Sequence, residues 1–112
     1  MNNYSLTLTT PAENGSTLTI DLLNIKKAAL ILRAVNHKLR QQIIKLIDEH
    51  QKMTVTEIYV KLRLEQSVAS QHLAILRKAG FVKTLRDGKF IFYSVNTTRL
   101  QEINHFVDDL LN

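Results

Sequence analysis

Residues 54–82 read TVTEIYVKLRLEQSVASQHLAILRKAGFV, and this stretch decides the fold. Thr54-x-x-Glu57 is a capping box that starts a short helix, with Ile58 and Leu62 pointing inward. After Arg63-Leu64 the spacing predicts a second helix over 66–79. Ala69, Leu73 and Leu76 stand at i, i+4 and i+7 and make its buried stripe. Gly80 suits the left-handed position that stops a helix. Strands are expected at 81–86 and 89–95, joined by a two-residue turn at Asp87-Gly88. Two helices with a tight turn, followed by a β-hairpin, form a helix-turn-helix with a wing. That order offers one helix to a DNA major groove and a basic loop to the flanking backbone.

Working outward, a helix is expected at 37–49, with Asn36 as its N-cap and Leu39, Ile43, Leu46 and Ile47 as its core stripe. A further helix is expected at 19–35. Its apolar residues, Ile20, Leu23 and Ile31 among them, cover more than one face. A last helix is expected at 97–111, capped by Asn96 or Thr97, with Phe106, Leu110 and Leu111 on a wide apolar face. Residues 1–17 are Asn/Thr/Ser-rich. Tyr4, Leu6 and Leu8 alternate with polar residues there, which suits either a short strand or a flexible tail. The expected organisation is therefore an N-terminal tail, 1–17, and a DNA-binding and dimerisation domain, 18–112. Its fold class is mainly α with a small β-hairpin, a winged helix-turn-helix.

Charge placement agrees with this reading. All fifteen Lys and Arg lie between Lys26 and Arg99, with only five acids among them, a net of +10. The segments on either side carry only acids, −2 before and −3 after. A basic centre between acidic ends points to a polyanion at the centre. The 45% hydrophobic and 22% charged composition fits a compact helical domain. No basic segment precedes an apolar one, so no signal peptide is expected. No uncharged run is apolar enough to span a membrane. The absence of cysteine fits a reducing, cytoplasmic setting and removes thiolate metal sites.

The solvent face of the 66–79 helix holds Gln66, Ser67, Ser70, Gln71 and Ala74. Gln can pair bidentately with adenine, and Ser can reach a base edge or a phosphate. His72 lies beside them, and Arg77 and Lys78 near the far end could reach the DNA backbone. In the wing, a turn on Asp87-Gly88 would set Arg86 opposite Lys89. Like charges so placed repel, and phosphates would relieve them. The four histidines, 37, 50, 72 and 105, show no i, i+4 pair. Glu102, His105, Asp108 and Asp109 could share a helix edge, but a solvated edge is the simpler reading, and no metal or cofactor is expected. No Gly-rich phosphate loop or activated-serine motif is present, so the chain is not read as an enzyme.

Residues 66–82 resemble the recognition-helix signature of the ArsR family of bacterial winged-helix repressors, a Ser-x-His-Leu core ending in Leu-Arg-x-Ala-Gly-Leu-Val. Ser70, His72, Leu73, Leu76, Arg77, Ala79, Gly80 and Val82 stand at matching positions. Arg40 followed by Ile43 is similar to the family's Arg-x-x-Ile-Leu motif, and Arg86-Asp87-Gly88-Lys89 with Tyr93 to its wing. The resemblance, over about residues 25–100, implies a homodimer built from the first and last helices and acting on double-stranded DNA. The chain departs from the family's metal motifs. It has no Cys on the third helix, and it stops at Asn112 before a second ligand pair could follow His105. The rival expectation is a winged helix used for protein contact without specific DNA binding, which salt-tolerant binding to a protein through the same face would favour.

Overall fold

The computed structural model describes residues 4–10 and 15–112. They fall into two compact units, 1–31 and 32–112. In the first unit β1 (Ser5–Thr10) pairs antiparallel with β2 (Ser16–Asp21). Leu6 stands opposite Ile20 and Leu8 opposite Leu18, so alternation puts the apolar residues on one face. Thr7 and Thr19 meet on the other, their hydroxyls 3.4 Å apart. Of the segment expected as strand or tail, 5–10 is therefore strand; 1–3 and 11–14 lie outside the described residues.

Helix α1 (Leu22–Val35) starts later than the periodicity predicts. Asp21 Oδ1 accepts from the Asn24 N–H at 3.1 Å, a side-chain cap that starts the helix at Leu22. Ile20 consequently belongs to a strand and not to the helix.

The second unit continues with α2 (Lys38–His50), β3 (Met53–Thr54), α3 (Val55–Leu62), α4 (Gln66–Lys78), β4 (Val82–Asp87), β5 (Phe90–Val95) and α5 (Thr97–Leu111). The N-cap of α2 is His37, not Asn36, and its side chain makes no capping bond. The capping box of α3 forms as expected. Thr54 Oγ1 accepts from Glu57 N–H at 3.2 Å, and Glu57 Oε1 accepts from Thr54 N–H at 2.9 Å. These bonds from Thr54 hold the Glu57 carboxyl below its usual range. Arg63 takes the left-handed conformation (φ 56°) that turns the chain from α3 into α4.

Helix α4 ends in a Schellman arrangement. The Phe81 N–H donates to Leu76 O at 2.9 Å and the Gly80 N–H to Arg77 O at 3.0 Å. Gly80 has φ +86°, and a Cβ there would lie 3.3 Å from Arg99 Nε. The start of α5 bonds to the carbonyls just beyond α4: Asn96 Nδ2 donates to Gly80 O and Arg99 Nε to Ala79 O. The core gathers Ile43 and Ile47 of α2, Ile58 of α3, Leu73 and Leu76 of α4, and Phe81, all fully buried. Each such side chain contributes about 1.5–3 kcal/mol by leaving water.

The sheet has the order β3-β5-β4, so the wing is part of three strands and not a free hairpin. Met53 pairs with Tyr93 and Thr54 with Phe92, a junction the sequence reading did not include. The wing turn also differs. Asp87 pairs with Phe90 and Arg86 with Ile91, so the loop is Gly88-Lys89 and Arg86 does not face Lys89. Only Gly88 needs a positive φ (+62°) in this loop, whereas a turn on Asp87-Gly88 would ask the same of Asp87. The observed register also sets Val82 beside Val95 and Leu85 beside Phe92.

Candidate nucleic-acid interface

Burying Ala69, Leu73 and Leu76 leaves Gln66, Ser67, Ser70, Gln71 and Ala74 exposed on the other side of α4. The structure thus brings the four polar residues of this set onto one face. The N-cap residue Glu65 makes no side-chain bond to the first turn. The first N–H groups of α4 therefore keep their hydrogen-bonding capacity and the positive end of the helix dipole. Small polar side chains at one helix end can pair with base edges, and free N–H groups there can donate to phosphate oxygens.

His72 sits differently from its neighbours. It is half-buried, at the edge between the exposed face and the core stripe. Arg40 Nε on α2 donates to its Nδ1 at 3.2 Å, and the His37 ring lies 5.0 Å away, tilted by 56°. Burial, then the Arg40 charge, then His37 hold His72 below the usual histidine range, which favours the neutral ring. Arg40 was legible only as part of a motif. Its contact with a residue 32 positions away leaves no trace in local periodicity.

Arg77 and Lys78 are exposed in the last turn of α4. In the wing, Arg86 Nε donates to Gly88 O at 3.2 Å, which braces the guanidinium along the turn. Lys89 Nζ stands 5.3 Å over the Phe90 ring, and Lys52 Nζ stands 4.6 Å over Phe92, a basic contribution the sequence reading missed. Among the described residues the ion pairs reduce to Arg99–Glu102 at 3.5 Å. Of the fifteen basic side chains, the other fourteen have no described carboxylate within salt-bridge distance, which leaves their field open to an anionic partner. Among the described residues no three His, Asp or Glu side chains converge as a metal set. No described helix is long and apolar enough to cross a membrane.

The residues expected at an interface between copies are divided between the two units. On α5 no residue is buried: Phe106 is 46% exposed, Leu110 67% and Leu111 78%. On α1 Leu23 is exposed and Ile31 half-buried, and Ile20 on β2 is half-buried.

Residues 37–84 match the family of bacterial regulatory proteins, arsR family. Over 85 residues the chain is 40% identical to an HTH-type transcriptional regulator of Methanocaldococcus jannaschii, covering 76% of this chain and 96% of that protein. It is 35% identical to the transcriptional activator HlyU of Vibrio cholerae, over 70% of this chain and 71% of HlyU. The crystal structure of the transcriptional repressor PagR of Bacillus anthracis superposes with a TM-score of 0.61 at 32% identity, covering 80% of this chain and 98% of PagR.

Proposed function

The chain belongs to the arsR family of bacterial regulatory proteins and is a winged helix-turn-helix transcriptional regulator; from that premise we propose that it acts as a homodimeric repressor on a near-palindromic double-stranded operator in the cytoplasm. The observation that carries the proposal is the α4 face. Gln66, Ser67, Ser70 and Gln71 stand exposed over a helix start without a side-chain cap, and Arg77 and Lys78 are exposed in the last turn of the same helix. PagR, similar to this chain in sequence and in fold, is a transcriptional repressor. HlyU is named an activator, so sign is a property to measure at the promoter.

In this reading Gln71 and Ser70 contact base edges, while Gln66 and Ser67 lie nearest the phosphates at the helix start. Arg77, Lys78, Arg86 and Lys89 bind backbone phosphates on the flanks. The dimer is built from the apolar residues of α1 and α5, with Ile20 of β2. A two-fold axis sets two α4 helices about 34–36 Å apart, one turn of DNA, which is why the operator is near-palindromic.

The experiment is selection of bound sequences from a random duplex library, followed by Gln71→Ala on the selected operator. The variant should lose about 1–3 kcal/mol per half-site and show no preference at one base pair in each. An unchanged preference profile would remove Gln71 from the readout. Lys89→Ala tests the flanks. It should weaken binding to specific and random duplexes alike, and the salt slope should fall by about one unit per subunit. Wild-type affinity and slope in that variant would leave the wing tip as a solvated turn.

A further inference from the structure

The contact between Arg40 and His72 fixes more than packing. A guanidinium has only donors, so the His72 Nδ1 that receives Arg40 Nε–H at 3.2 Å carries no proton. The single proton of the neutral ring is then on Nε2. Among the described residues no protein group bonds to Nε2, and no buried polar side-chain atom lacks a partner, so Nε2 meets solvent. Arg40 is itself anchored a second time, its Nη1 donating to Ala34 O at 3.3 Å. The guanidinium therefore joins the end of α1, the first turn of α2 and the middle of α4. The charged and titratable groups facing the ring are Arg40 and His37, and neither favours an imidazolium.

We propose that Arg40 is a positioning residue that holds His72 as its Nε2–H tautomer, so that His72 donates from Nε2 to a phosphate of the operator as a neutral group. The proposal rests on the DNA-binding reading above and adds the donor, its atom and what orients it. Phosphate is favoured over a base edge because His72 lies at the rim of the exposed face, between Gln71 and the buried Leu73. A helix lying in the major groove turns such a rim toward the groove wall.

A neutral donor and a cation leave different traces. Losing a cation on phosphate lowers the salt slope, because fewer counterions are released; losing a neutral donor lowers affinity alone. Gln places its amide nitrogen near the position of imidazole Nε2, and Asn places its own near Nδ1. Operator affinity should be measured against salt at pH 7.5 for His72→Gln, His72→Asn and Arg40→Met. Long-range proton–nitrogen NMR spectra should be recorded for the wild-type ring and the Arg40→Met ring.

The Asn variant should weaken binding by roughly tenfold or more with an unchanged salt slope, while the Gln variant stays within about threefold. The wild-type ring should show the Nε2–H tautomer alone. Arg40→Met should mix the tautomers and weaken binding as the Asn variant does, while circular dichroism shows it folded. A slope that falls by about one unit per subunit in His72→Asn would make His72 a cation and overturn the proposal. Equal affinities for the Gln and Asn variants, or a wild-type Nδ1–H ring, would do the same. If the wild-type protein selects no duplex at all, the phosphate contact falls with the reading it rests on. The ring spectra then show separately whether Arg40 sets the tautomer.

Discussion

Replacing Phe106 by glutamate is expected to abolish operator binding by separating the dimer. Phe106 is nearly half exposed on α5, and Leu110, one turn further on, is more exposed still. A helix with no buried residue contributes its apolar face to stability only when something covers it. In the proposed dimer a second copy does so. The Phe106→Glu substitution would carry one carboxylate from each subunit into that cover, at a cost of several kcal/mol per unpaired charge. The subunits should then separate at micromolar concentration. A monomer engages one half-site only, so the loss in operator affinity should exceed that of any single base contact. Light scattering reads the assembly, and circular dichroism shows whether the separated chain stays helical. A native monomer for the unsubstituted chain at micromolar concentration would defeat the dimer, and with it the palindromic operator.

Phe81→Ala is expected to cost about 3–5 kcal/mol of folding stability. The ring is fully buried, and the backbone of the same residue closes α4 through its bond to Leu76 O. Its own carbonyl accepts from the Asn96 N–H at 2.9 Å, at the entrance to α5. Removing the ring leaves a cavity where the end of the proposed recognition helix, the start of β4 and the start of α5 meet. A domain of this size has about 5–15 kcal/mol in all, so the variant should be largely unfolded a few tens of degrees above room temperature. Urea unfolding measures the difference directly. A loss under about 1 kcal/mol would mean that the surrounding elements collapse onto the site, and that α4 is held mainly by its α2 and α3 contacts.

The course of the chain from 54 to 80 was legible because its signals are local. Thr54 and Glu57 satisfy one another three residues apart, Ala69, Leu73 and Leu76 share a face by helical period, and Gly80 takes a conformation other residues resist. Each needs only the near neighbours to act, so α3 and α4 lie within a residue of where the pattern puts them. The exposed Gln and Ser face followed from the same period. The start of α1 was misplaced because the pattern over 19–35 is apolar on several sides, whereas Asp21, one residue before Leu22, supplies the cap that sets it.

By itself, then, the sequence determined where the helix-turn-helix lies and which of its residues face outward. The three-dimensional structure alone decided what depends on partners distant in the chain. The two-residue strand Met53–Thr54 exists because β5 offers Tyr93 and Phe92 as its partners. The wing turn moved to Gly88-Lys89 because strand register is a competition among pairings. The winning one sets Val82 beside Val95 and spares Asp87 a positive φ. Arg40 reached His72, and Arg99 reached Ala79 O, across separations that no short-range period encodes. Local hydrogen bonding and hydrophobic period act along the chain and can be read along it. Register, tautomer and the partners of a guanidinium are settled only once folding has brought distant groups within bonding distance.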